Sequence, residues 1–107
     1  MDFLHEFYNL FESDYLYLGK IHKNNFKIKQ FFLNETKNGL SWKSGLFNKI
    51  KTIHFKSIYK ISQNNTEITL YTKERKLVLI CPNNYQTNLF YESILYLSKN
   101  DPGYFKN

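Results

Sequence analysis

The sequence predicts a mainly β domain with a helix at each end. Three observations carry that expectation. From residue 15 to 81 the apolar residues come in short runs rich in aromatic and β-branched side chains, broken by polar turn residues. On either side of this stretch they recur at helical spacing instead. Strands and helices do not alternate along the chain, which excludes a doubly wound parallel sheet.

A first helix is expected over 3–12. Asp2 can cap it, and Phe3, Leu4, Phe7, Tyr8 and Phe11 fall on one apolar stripe. A helix of about ten residues is marginal alone in water, so this one must dock on the domain's own body or on a partner. Seven strands follow, over 15–22, 27–33, 40–43, 50–55, 58–62, 67–72 and 76–81. Asn24-Asn25, Asn38-Gly39, Ser44-Gly45, residues 63–65 and Lys73-Glu74-Arg75 supply turn chemistry between them. Pro82 stops the last strand. Asn83 or Asn84 can then cap a helix over 85–98, with Leu89, Phe90, Ile94 and Leu97 at helical spacing. Asp101-Pro102-Gly103 ends it. The expected organisation is an N-terminal amphipathic helix over 1–14, a domain over 15–99 and a tail over 100–107.

Composition narrows the function. A chain of 107 residues has room for one domain, and 42% hydrophobic with 19% aromatic residues is enough for a packed core. The lone Cys81 excludes an internal disulfide framework and reads as a buried thiol. No apolar run is long enough for a membrane-spanning helix, and the acidic start lacks the features of a secretory signal. The expected location is therefore cytoplasmic. The chain has no alanine, one arginine against 14 lysines, and 13 asparagines, a bias typical of an AT-rich genome. Lysine therefore says less about function here than it would elsewhere.

The net charge of +6 is unevenly spread. Residues 1–14 hold four acids and no lysine or arginine, whereas residues 20–60 hold ten lysines and one acid, Glu35. Such a block is either a solvated face or a surface for phosphate-bearing partners. No nucleophile motif, phosphate loop or paired catalytic carboxylates occur, so no enzyme activity is expected. His5, His22 and His54 lack partners at metal-ligand spacing, and no metal or other cofactor is expected. Nucleic acid ranks below lipid and protein as a partner, because arginine is nearly absent and most aromatics are needed for the core.

Local signatures extend the reading. Gly19-x-Ile21-x-Lys23, the run from Phe26 to Leu33, Leu40-Ser41-Trp42 and the stretch from Thr52 to Ile58 resemble, in order and spacing, the first four strands of pleckstrin homology (PH) domains. Phe90 and Ile94 stand where that family's helix carries a Trp four residues before a Leu. The resemblance spans about residues 15–98. It implies a PH-like seven-stranded antiparallel barrel or sandwich, capped at one end by the C-terminal helix. The opposite end would be open, framed by the loops after strands one, three and six.

By the same resemblance, phosphoinositide-binding members place a basic residue of strand one and a basic-x-basic pair of strand two at that end. Here these are Lys23, Lys27 and Lys29, with Lys20, His22, Lys43, Lys49 and Lys51 as a supporting basic rim. Lys29 stands where the family usually has Arg, so charge is retained and the planar fork is lost. Strand parity decides whether the three lysines share a face. A strict two-residue turn at Asn24-Asn25 sets Lys23 opposite Phe26 and turns Lys27 and Lys29 away. One more turn residue sets Lys23 opposite Lys27 and unites all three. The expected function is a non-catalytic module that binds anionic membrane lipid, phosphoinositide or phosphatidic acid, at a membrane periphery. The alternative is a protein-interaction module of a larger assembly, engaged through the N-terminal helix or a sheet edge.

Overall fold

The computed structural model describes residues 2–12 and 16–100. The expected tail from 101 onward, the possible cap by the Asp2 side chain and the junction at 13–15 lie outside what is described. Helix α1 spans Asp2–Glu12 and is followed by β1 Leu16–His22, β2 Asn25–Leu33, β3 Gly39–Ser44 and β4 Lys49–His54. A single 3-10 turn, Phe55–Ser57, leads to β5 Lys60–Asn64, β6 Glu67–Tyr71, β7 Lys76–Ile80 and α2 Asn84–Lys99. All seven strands form one antiparallel sheet in the order β4-β3-β2-β1-β7-β6-β5, curled into a half-barrel. The strands read as 50–55 and 58–62 thus lie on opposite edges of the sheet. The 3-10 turn between them carries the chain across.

Alternation along each strand builds the core. Leu16 and Leu18 of β1, Phe31 of β2, Leu40 and Trp42 of β3, Ile53 of β4, Ile68 and Leu70 of β6, and Leu77 and Leu79 of β7 are all buried. The direct pairs Leu16↔Phe31, Phe31↔Trp42, Leu40↔Ile53 and Leu70↔Leu77 place them on one face. Helix α2 covers this face with Leu89, Phe90, Ile94 and Leu97. Asn83 is its N-cap: the side-chain oxygen accepts from the Gln86 N–H at 2.8 Å. Phe90 and Ile94, the pair singled out by its four-residue spacing, are both fully buried.

Helix α1 spends its apolar stripe on the domain's own body. Phe7 is fully buried, with ring centroids 5.2 Å from Phe11, 5.2 Å from Phe90 and 6.3 Å from Phe55. A partner of this helix would meet its polar face, where His5, Glu6 and Asn9 are exposed. The β2–β3 hairpin is organised by Asn34, whose side-chain oxygen accepts from the N–H groups of Asn38 and Gly39, both at 2.9 Å. Gly39 has no room for a side chain, since a Cβ would stand 2.9 Å from the Ile53 carbonyl oxygen. Among the described residues no helix is long and apolar enough to cross a membrane.

Candidate functional site

The inward rows of five strands change character at the same level of the sheet. In β1 the row runs Leu16, Leu18, Lys20, His22; in β2, read backwards, it runs Phe31, Lys29, Lys27, Asn25. In β3 Trp42 is followed by Ser44, in β4 Ile53 is preceded by Lys51 and Lys49, and β7 is entered through Arg75 before Leu77. The core therefore gives way to a cationic mouth. Pairing of β2 with β3 covers only Phe31–Leu33, so the two hairpins splay apart beyond it. The resulting cleft has two adjoining lobes. One encloses about 270 Å³ between Lys20, His22, Asn25, Lys27, Lys29, Ser44 and Gly45. The other, about 380 Å³, lies among Lys20, His22, Trp42, Ser44, Lys51, Glu74, Arg75, Lys76 and Leu77. The loops after β1, β3 and β6 frame it.

Trp42 forms the apolar floor. The Lys20 ammonium lies 5.7 Å from its ring centroid and the Arg75 guanidinium 5.8 Å, both at cation–π distance. Among the described residues, Lys20, Lys27, Lys29, Lys51 and Arg75 form no ion pair with a carboxylate. Glu74 alone adds an acid to the lining. The crowding has a price in protonation. Burial lowers the Lys20 pKa, and the charges of Lys29, Lys51, Arg75 and Lys27 lower it further. The His22 pKa is also lowered, by partial loss of hydration and then by Lys20, Lys23, Lys51 and Arg75. Such a constellation can bind an anion with several acceptor oxygens, taking point charges from lysine and a planar fork from arginine.

The register follows neither arrangement read from the sequence. The two-residue turn is Lys23-Asn24, not Asn24-Asn25, and it pairs His22↔Asn25, Lys20↔Lys27 and Leu18↔Lys29. Both turn residues have positive φ, 49° at Lys23 and 67° at Asn24, the pattern of a type I′ hairpin turn. Lys27 and Lys29 thus share their face with Lys20 and His22, while Lys23 sits on the turn and does not line the cleft. Of the supporting rim, Lys20, His22 and Lys51 are in the cleft. Lys43 is not: it pairs with Ile50, and alternation turns both to the outer face. Lys49 pairs with Ser44 at the hairpin end, on the inward row but beyond the lining residues. Sequence reasoning missed several lining residues, among them the cations Arg75 and Lys76 and the floor residue Trp42. The signal for Arg75 was present, since the only arginine of the chain falls in the loop after strand six.

Cys81 is buried, and burial pushes its thiol up to about 11, so it is an inert core thiol.

No family model matches the chain, and no curated protein matches it either. Solved structures do. Inner Membrane Complex Sub-compartment Protein 3 from Toxoplasma gondii aligns with a TM-score of 0.76 at 10% identity, covering 94% of this chain and 86% of that one. The N-terminal PH domain of human ARAP2 aligns with a TM-score of 0.64 at 16% identity, over 78% of this chain and 76% of that one. The C-terminal domain of an unknown protein from Leishmania infantum reaches 0.54 at 14% identity, over 74% and 79%. Strand order, the closing helix and these alignments agree: the chain has the pleckstrin homology-like fold.

Proposed function

We propose that the chain is a non-catalytic, peripheral membrane-targeting module whose cleft docks a polyphosphorylated lipid headgroup. One observation carries the reading. Six cations from three hairpins, Lys20, Lys27, Lys29, Lys51, Arg75 and Lys76, converge on one mouth where Glu74 is the one acid among the described lining residues, and burial together with the neighbouring charges already lowers the pKa of Lys20. A folded protein keeps such a cluster at a cost to its own stability, and an anion that neutralises it removes that cost. The two lobes suit several phosphates better than one, which favours a phosphoinositide over phosphatidic acid. Lys27 and Lys29 serve the first lobe, Arg75 and Lys51 the second, and Lys20 lies between them. Lys23, Lys43 and Lys49 add only to the surrounding field. The name of the Toxoplasma neighbour refers to an inner membrane complex, which supports a role at a membrane.

Vesicle co-sedimentation tests the proposal. Each lysine close to an anionic bilayer is worth about 1 kcal/mol, so Lys27→Ala/Lys29→Ala should weaken binding to phosphoinositide-containing vesicles roughly thirtyfold. Undiminished binding would remove the cleft from the proposal. If the parent protein ignores every anionic vesicle at low salt, the protein-interaction module becomes the better reading.

A further inference from the structure

The β3–β4 hairpin ends in two side chains that nothing in the molecule covers. Leu46 is 96% exposed and Phe47 92%, more than any other large apolar residue described. They are the central pair of a tight turn closed by the Asn48 N–H donating to the Gly45 carbonyl at 3.2 Å. Gly45, with φ +81°, and Asn48, with φ +51°, supply the left-handed backbone this turn requires. The backbone of the apolar tip is thus ordered before any contact is made, which lowers the entropy that burial must still remove.

Its neighbours indicate what buries it. Ser44 and Gly45, immediately before the tip, line the first lobe of the cleft. Lys43, Lys49 and Lys51 flank it, and no acid occurs from Gly39 to His54. Two such hairpins would repel each other, so a second copy of the chain is a poor occupant. An apolar pair ringed by lysines complements an anionic bilayer, whose headgroups meet the amines while the acyl region takes the side chains.

We infer that Leu46 and Phe47 form a wedge that enters an anionic bilayer while the adjoining cleft holds a headgroup. The inference rests on the headgroup reading above and adds the orientation of the domain. The wedge end faces the membrane, with α2 at the far end of the half-barrel.

The test separates the two ideas by using a soluble and a membrane probe. Inositol hexakisphosphate, titrated calorimetrically, reports the cleft alone. Vesicles of phosphatidylcholine, phosphatidylserine and a phosphoinositide report cleft and wedge together. Leu46→Ser/Phe47→Ser should leave inositol hexakisphosphate affinity unchanged and lower vesicle affinity by at least tenfold. In Phe47→Trp, emission in excess of that of the parent protein, whose signal comes from Trp42, measured on the same vesicles should shift to the blue and be quenched by brominated acyl chains. Vesicle binding that survives the double serine change, or Phe47→Trp emission that stays unquenched on bound vesicles, overturns the wedge and leaves the cleft standing. Lost inositol hexakisphosphate binding with tip-dependent vesicle binding does the reverse. Failure to bind any anionic vesicle defeats both, whereas sedimentation analysis in which the tip drives self-association overturns the wedge alone.

Discussion

Lys20 and His22 show how a side chain records its neighbours. Each belongs to the inward row of β1, which places it among other cations, and each has its pKa lowered. For His22 the consequence falls near neutral pH. Above its ordinary value of 6.5 the imidazole is neutral in both the folded and unfolded chain and contributes nothing. Below 6.5 the unfolded chain takes up the proton first, so the folded state loses stability as pH falls from 6.5 toward the lowered folded-state value and no more below it. The melting temperature of the free protein should therefore decline on acidification from pH 7, and His22→Gln should remove part of that decline. Bound polyanion reverses the sign. With inositol hexasulfate, whose sulfate esters do not titrate in this range, affinity should rise as pH falls, and the rise should vanish in His22→Gln. Identical pH profiles for parent and variant would place His22 outside the field of the cleft. Single residues were also where the sequence was least legible. Lys27 and Lys29 could be marked from the basic-x-basic pattern, but the fate of Lys23 depended on a turn that lysine rarely occupies with positive φ. Lys43 looks like its neighbours until pairing with Ile50 assigns it to the outer face.

At the scale of elements, alternation and helical spacing carry most of the information. The strand runs recover seven strands to within a few residues, because a half-buried strand must alternate and a slip of one would expose the core. Turns obey local backbone chemistry, for which Asn-Asn offers several solutions of similar cost, and here the hairpin closes one residue earlier. The N-terminal helix illustrates the other limit. Its stripe says that it docks, but where it docks follows only from the tertiary structure, in which Phe7 lies within ring contact of Phe90 and Phe55. Phe7→Ala should cost about 3–5 kcal/mol, the range for a large aromatic deleted from a packed core. For a chain of this size that is a fall of well over 10 °C in melting temperature by calorimetry. A loss below about 1 kcal/mol would mean that α1 is an appendage and that the core closes without it.

For the whole molecule, total charge must be separated from its arrangement. An overall +6 draws any basic protein toward an anionic surface, with modest selectivity and strong dependence on salt. What the fold adds is convergence. Half of the lysines between residues 20 and 60 could be rearranged over the surface without changing the net charge, yet only those on the inward rows meet at the mouth. Two charge-matched variants isolate this contribution. Lys27→Gln/Lys51→Gln removes one amine from each lobe of the cleft. Lys37→Gln/Lys99→Gln removes one from the β2–β3 loop and one from the last turn of α2, both outside the cleft and away from the β3–β4 tip. Both lower the net charge by two, so long-range attraction should fall equally and the salt dependence of weak adsorption to phosphatidylserine vesicles should be similar. On phosphoinositide vesicles the inward pair should lose roughly thirtyfold in affinity, following about 1 kcal/mol for each amine, and the outward pair no more than about threefold. The inward pair should also melt higher than the outward pair in the absence of ligand, because it relieves the repulsion from Lys51 and Lys27 that adds to burial in lowering the pKa of Lys20. Equal losses from the two variants would mean that the domain adsorbs by its net charge and that the cleft has no part in recognition.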